Sequence, residues 1–454
     1  MFGSWLVVLD HLGATSPAAW VLAGAALSLG AACTAFWSFR PLLPAPAALL
    51  AATLLLIHPA RQEQLFWPSA QIDTLCLILS LACLGTVLRI PKTPACATAP
   101  PAPQLALVAL LSALAVLTKE IALILPLVVA IVPSGVSWRR RVWLAIASAA
   151  GSLAAGMAAV GVLGDGGRAR RILALAGGWS FLDYPIRLIW PANPQPAFPN
   201  PIYGSSRGAL GLGLLATAAL VAAVALLLKE DGSRGWARTG AVLLAAGWLP
   251  WAIRPDDRGI GLGCAGLALI IAGFLDAAVD RSPAIPAAAL VLLSVPWFCL
   301  WAVRERLWAE SGRIGELTVA SMQEWRAEAG PGRLLVAAGR VINIAAGTNI
   351  ISPAELDPCA LSVVGVMGTP PVRPAEVRWE GVPGRYRITA SPNSAVAWLC
   401  TPNPGSGIVD VECDETGRAR SILIDPALLD EELRRRHCGP VEVRRWDGSR
   451  FTPF

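Results

Sequence analysis

Gln104-LALVALLSALAVLT-Lys119-Glu120-IALILPLVVAIVP-Ser134 is the stretch whose reading decides the fold. It is apolar from end to end apart from one adjacent Lys-Glu pair. The hydrocarbon core of a bilayer takes about 20 residues of helix, fewer than residues 104–134 supply. A single span would also carry Lys119 and Glu120 into the middle of the hydrocarbon, where charge is expensive. The stretch therefore reads as two short spans, 104–118 and 121–134, hinged at Thr118-Lys119-Glu120. The charged pair then sits at a membrane surface.

The rest of the chain fits that reading. Of 454 residues, 55% are hydrophobic and 15% charged, against about 25% charged in soluble domains. The mean hydropathy is +0.57. Apolar runs at 16–38, 42–60, 70–90, 142–163, 208–228, 236–253, 259–279 and 284–304 join the two halves of 104–134. The expected fold is thus an α-helical polytopic membrane protein of about ten transmembrane helices over residues 1–304. From Arg304 onward the charge density is that of a soluble protein. There, residues 305–454 read as a small α+β, mostly β, domain: a helix at 305–328, then short strands between turns. Met1–Leu9 lacks the basic start and cleavage site of a secretory signal.

Loop charges orient the spans. One face collects Arg40, Arg89, Lys92, Arg139, Arg140, Arg141, Lys229, Arg234, Arg238 and Arg281. The short loops opposite hold Arg61, Lys119, Arg254 and Arg258. The positive-inside rule puts the first set in the cytoplasm. The loop 164–207 and the C-terminal domain then lie outside, and so does the N-terminus, which leads us to expect a further helix upstream of Met1. The net charge of +6 is explained by these topology signals, so nucleic acid is not an expected partner. Four cysteines of the exported domain, Cys359, Cys400, Cys413 and Cys438, have the number for two disulfides.

Ionisable residues gather at the external face. Glu63 and Asp73 bracket the second and third spans, Lys119-Glu120 form the hinge, and Asp256-Asp257-Arg258 join the eighth and ninth spans. Negative charge at an external face has no topological job. Arg and Lys there would bind phosphate, and a carboxylate would take a proton from an acceptor hydroxyl. His58, ahead of Pro59 at a helix end, reads as a capping or interfacial residue. Gly261-Leu-Gly263-Cys-Ala-Gly266 matches a dinucleotide-binding pattern but lies within a span, where small residues let helices approach closely.

The run His58-Pro59-Ala-Arg-Gln-Glu63-Gln-Leu-Phe-Trp67…Asp73-Thr-Leu resembles a segment of transmembrane O-mannosyltransferase-like proteins of the GT-C glycosyltransferase class. Lys119-Glu120…Pro126, Tyr184-Pro…Trp190-Pro191 and Asp257-Arg258 are similar to further segments of that group, in the same order. The resemblance implies a polyprenyl-phosphate-linked sugar donor and a glycan or protein acceptor on the external side of a bacterial inner membrane. It implies that Arg258 and Lys119 hold the donor phosphate, that Glu63 and Glu120 orient them or the acceptor, and that Asp73 lines the same cavity. Asp256 and Asp257 would partner Arg258 or a divalent metal; the class contains metal-dependent and metal-independent enzymes, so no metal ligand is assigned. The general base of the class is an Asp of the first external loop. Asp10 is the one acid in that part of this chain, and it lacks the paired-acid pattern. The base is expected upstream of Met1 or is lost, and its loss would make the chain inactive. Competing readings are an envelope polysaccharide ligase or polymerase, a non-catalytic membrane scaffold, and a transporter. A transporter would place its charges near the midplane, whereas these gather at one face.

Overall fold

The computed structural model describes residues 17–66, 68–90, 100–132, 136–163, 184, 188, 235–253, 260–279, 282–330, 333–344, 348–349, 359–368, 376–379, 385–389, 394–397, 406–413, 419–429 and 441–453. They are mostly helical, with a small region of sheet toward the C-terminus. They fall into two compact units, one ending at Trp301 and the other beginning at Ala302.

The first unit contains α1 (Pro17–Phe39), α2 (Ala45–Ile57), α3 (Gln62–Phe66), α4 (Pro68–Leu88), α5 (Ala102–Thr118), α6 (Leu125–Ile131), α7 (Trp138–Leu163), α8 (Gly235–Ile253), α9 (Gly261–Val279) and the start of α10 (Ala284–Ala329). Among the described residues, four helical stretches are long and apolar enough to cross a membrane: Ala19–Phe39, Ala70–Leu88, Trp138–Ala158 and Gly261–Val279. Three expected spans form shorter helices. The helix α2, expected over 42–60, has 13 residues, because proline stands at its start and the His58-Pro59 step ends it. The run 104–134 divides as its charges require. Its first half is α5; Lys119 then takes an extended backbone (φ −154°, ψ 134°), a 3-10 turn follows at Glu120–Ile124, and α6 resumes. The expected span 208–228 lies outside the described residues.

Close packing between these helices rests on small residues. A Cβ on Gly151 of α7 would strike the Ala109 backbone of α5, and one on Gly266 of α9 would strike the Gly240 backbone of α8. Polar links replace the hydrophobic drive that lipid cannot supply. Ser112 of α5 meets Ser148 of α7 at 2.7 Å, and Ser38 of α1 donates to the Leu81 carbonyl of α4 at 2.7 Å. Leu107, Leu110 and Leu114 of α5 and Ile146, Leu153 and Met157 of α7 face outward. Full burial of such a side chain is worth roughly 1.5–3 kcal/mol, so an outward apolar belt of this kind suits lipid better than water.

The expected break near residue 304 is not a helix boundary. The span 284–304 and the helix 305–328 are one helix, α10, which ends where Gly330 adopts φ 76°. In the second unit Ile314, Met322 and Trp325 of α10 pack on Leu335, Ala337, Trp446 and Phe451. The strands are β1 (Leu334–Ile344), β2 (Thr348–Asn349), β3 (Ala360–Gly368), β4 (Glu376–Trp379), β5 (Tyr386–Thr389), β6 (Ser394–Ala397), β7 (Ser406–Cys413), β8 (Ala419–Leu429), β9 (Val441–Trp446) and β10 (Phe451–Thr452). One sheet runs β10-β9-β1-β3-β6, with β2 added to β1. In it β1 is parallel to both β3 and β9. The other sheet, β4-β5-β8-β7, is antiparallel throughout. Cys359, just before β3, is disulfide-bonded. The described free cysteines, Cys33, Cys76, Cys83, Cys264 and Cys299, all belong to the first unit.

Candidate functional site

The candidate site is built where α2 stops. Pro59 cannot donate to the helix ladder, and the chain turns through a 3-10 turn at Pro59–Arg61. His58 is buried and caps that turn: its Nδ1 accepts the Ala60 N–H at 3.2 Å. That bond sets the tautomer, so Nε2 carries the proton and donates to the Leu188 carbonyl at 2.7 Å. The Trp297 ring stands edge-on to the imidazole at 4.7 Å, and Trp301 Nε1 donates to the Ile57 carbonyl at 2.7 Å. His58 is thus held as a structural cap, in keeping with its place before proline.

The second turn of α4 carries Asp73. Asp73 is buried, 3% exposed at its side chain, and its Oδ1 lies 2.9 Å from Lys119 Nζ, whose side chain is 28% exposed. Lys119 reaches it because α5 stops at Thr118. Thr118 turns its hydroxyl back onto the Ala115 carbonyl, and the extended Lys119 backbone swings the side chain off the helix axis. The hinge therefore serves a contact as well as avoiding buried charge. Next to Asp73 is Thr74, which donates to Gln64 Oε1 at 3.0 Å. Arg61, 4% exposed, donates from Nε to Gln64 Oε1 at 3.0 Å and from Nη2 to Thr74 Oγ1 at 3.3 Å. Gln62 Nε2 donates to the Trp301 carbonyl at 3.3 Å.

Of the residues singled out from the sequence, Asp73 and Lys119 are together. Glu120 opens the 3-10 turn and is exposed. Glu63 lies in α3, but its side chain is outside the described residues, as are Asp10, Asp256, Asp257 and Arg258. Arg61, Gln62, Gln64 and Thr74 were missed as site residues. Arg61 entered the loop-charge count, which takes a basic residue between apolar runs to be solvated. The Arg61/Gln64 spacing of three within a helical turn was the available signal. Among the described residues, no three His, Cys, Asp or Glu side chains stand where they could hold a metal ion together.

Chemically, Lys119 offers a partly exposed ammonium paired with a buried carboxylate, and Arg61 offers a buried guanidinium held by neutral partners. Either cation suits an anionic group, phosphate above all. No known family model, curated protein or solved structure matches the chain.

Proposed function

We propose that this chain is a GT-C-like membrane glycosyltransferase. It would move a sugar from a polyprenyl-phosphate-linked donor to a glycan or protein acceptor on the external side of a bacterial inner membrane. The observation that carries this reading is the 2.9 Å ion pair between Asp73 and Lys119. It ties together the two stretches, 58–75 and 113–126, that separately resemble segments of that class. In the proposed enzyme about ten spans hold these stretches at the external surface. Lys119 binds the donor phosphate and Asp73 fixes the direction of its side chain. The sugar C1–O bond to phosphate breaks, C1 bonds the acceptor oxygen, the acceptor proton passes to a carboxylate, and polyprenyl phosphate leaves. The disulfide at Cys359 supports an oxidising compartment for the C-terminal unit, in keeping with the loop charges.

The test uses the full chain purified into lipid nanodiscs and a polyprenyl-phosphate-linked radiolabelled hexose, with release of polyprenyl phosphate as the readout. The wild type should release it, and K119M and D73N should lower kcat/KM by at least tenfold. Release equal in the wild type and both variants, or none from the wild type, would sink the proposal.

A further inference from the structure

Arg61 is a cation buried inside the apolar unit that meets no counter-charge among the described residues. It is 4% exposed, and Gln62 beside it is fully buried. Its Nε and Nη2 are held by Gln64 and Thr74, which are neutral. Its Nη1 is buried and meets no hydrogen-bond partner among the described residues, and the same holds for Gln62 Oε1. Arg stays protonated in proteins, and Asp73, one residue before Thr74, is engaged by Lys119 instead. An unbalanced charge is a costly thing to bury, and ionisable residues at membrane depth usually serve ligands or partners. The two unsatisfied atoms are complementary in kind. Nη1 needs an oxyanion to accept from it, and Oε1 needs a hydroxyl to donate to it. A phosphate monoester carries both, as does a phosphodiester next to a sugar hydroxyl.

We infer that Arg61 and Gln62 form a phosphate-binding subsite, with the Arg61 guanidinium taking the oxyanion and Gln62 Oε1 taking a hydroxyl on or beside it. The subsite does not depend on sugar transfer. A chain without transferase activity would keep it, and an active transferase could lack it.

The test follows thermal unfolding by tryptophan fluorescence, with the full chain in nanodiscs of zwitterionic lipid. The probes are inorganic phosphate, undecaprenyl phosphate and the uncharged alcohol undecaprenol. At least one phosphate probe should raise the wild-type Tm by about 2 °C or more, and undecaprenol should not. A response to undecaprenyl phosphate alone identifies a lipid-borne phosphate; a response to both identifies the phosphate group itself. In R61M the rise should vanish, while its Tm without probe should equal or exceed the wild type's, because an unbalanced buried charge has been replaced by an apolar chain of similar length. In Q62L the rise should shrink. The inference is overturned if no phosphate probe moves the wild type or if R61M responds as the wild type does. It is also overturned if R61M melts well below the wild type, which would make Arg61 a balanced structural cation.

Discussion

Replacing Lys119 by Met removes the cation from a carboxylate that has almost no access to water. Asp73 is 3% exposed and the pair is closed at 2.9 Å. Removing one partner of a buried pair costs about 3–5 kcal/mol, because the other charge is left uncompensated. Lys119 is 28% exposed, so the pair is only partly shielded and the lower end, about 3 kcal/mol, is expected. The two single variants are not equivalent. In D73N the amide keeps an acceptor for the ammonium, and Lys119 can extend its charge toward the headgroups. That change should cost about 1 kcal/mol. The double variant D73N/K119M buries no charge at either position and should also cost about 1 kcal/mol, whereas simple addition would give about 4. The assay is reversible unfolding of the full chain in mixed micelles of rising SDS fraction, read by tryptophan fluorescence, with the four proteins forming a double-mutant cycle. A coupling of roughly 3 kcal/mol supports the pairing. Additive costs, or a K119M chain as stable as the wild type, would show that Asp73 and Lys119 do not depend on each other.

Three further outcomes follow from the same structure. Substituting Gly263 of α9 by Val should cost about 1–3 kcal/mol by overpacking, since even a Cβ there would overlap the Tyr184 hydroxyl, which donates to the Leu244 carbonyl; unchanged SDS unfolding would refute the close approach. Burial raises the Glu442 pKa, but hydrogen bonds from Trp325 and Arg444, the Arg444 charge and a hydrogen bond from Arg333 outweigh it and hold the carboxyl below its ordinary value. Its contribution is therefore present above the unfolded-state value of about 4.5 and is lost as pH falls through the lower folded value. Hydrogen exchange of peptides from 302–330 and 441–453 should quicken across that acid window in the wild type, and E442Q should shrink that step, most of all in 302–330, where Trp325 loses its carboxylate partner. Thiol alkylation of the denatured, non-reduced chain should modify Cys33, Cys76, Cys83, Cys264 and Cys299 and leave Cys359 unmodified until a reductant is added; a Cys359 that alkylates without reduction removes the argument for an oxidising compartment.

What could be read from the residues alone depended on how local the cause was. The hinge at Thr118-Lys119-Glu120 follows from the cost of charge in hydrocarbon, which is decided within one segment, and the chain does break there. The glycines of 261–266 behave as helix-packing residues because they lie within α9, where a Cβ on Gly263 would meet Tyr184 and one on Gly266 the Gly240 backbone. The second unit does carry short strands after its helix, as expected, since alternation and turns are also local signals. The strand Glu376–Trp379, with two charged residues in four, is held by pairing with β5 rather than by its own pattern, and so gave no signal. Composition changes near residue 304, close to where the two units divide, but the helix does not end there: Arg304, Glu305, Arg306 and Leu307 are all good helix formers, so α10 continues through. Arg61 shows the same limit from the other side. Its loop position was legible, but burial is a property of neighbours drawn from residues 64 and 74, and a charge count along the chain has no term for them. The pairing of Asp73 with Lys119 required both kinds of information, a local break to free the lysine and a tertiary contact to receive it. That is why shared external topology could nominate the two residues while leaving their contact to be found in the fold.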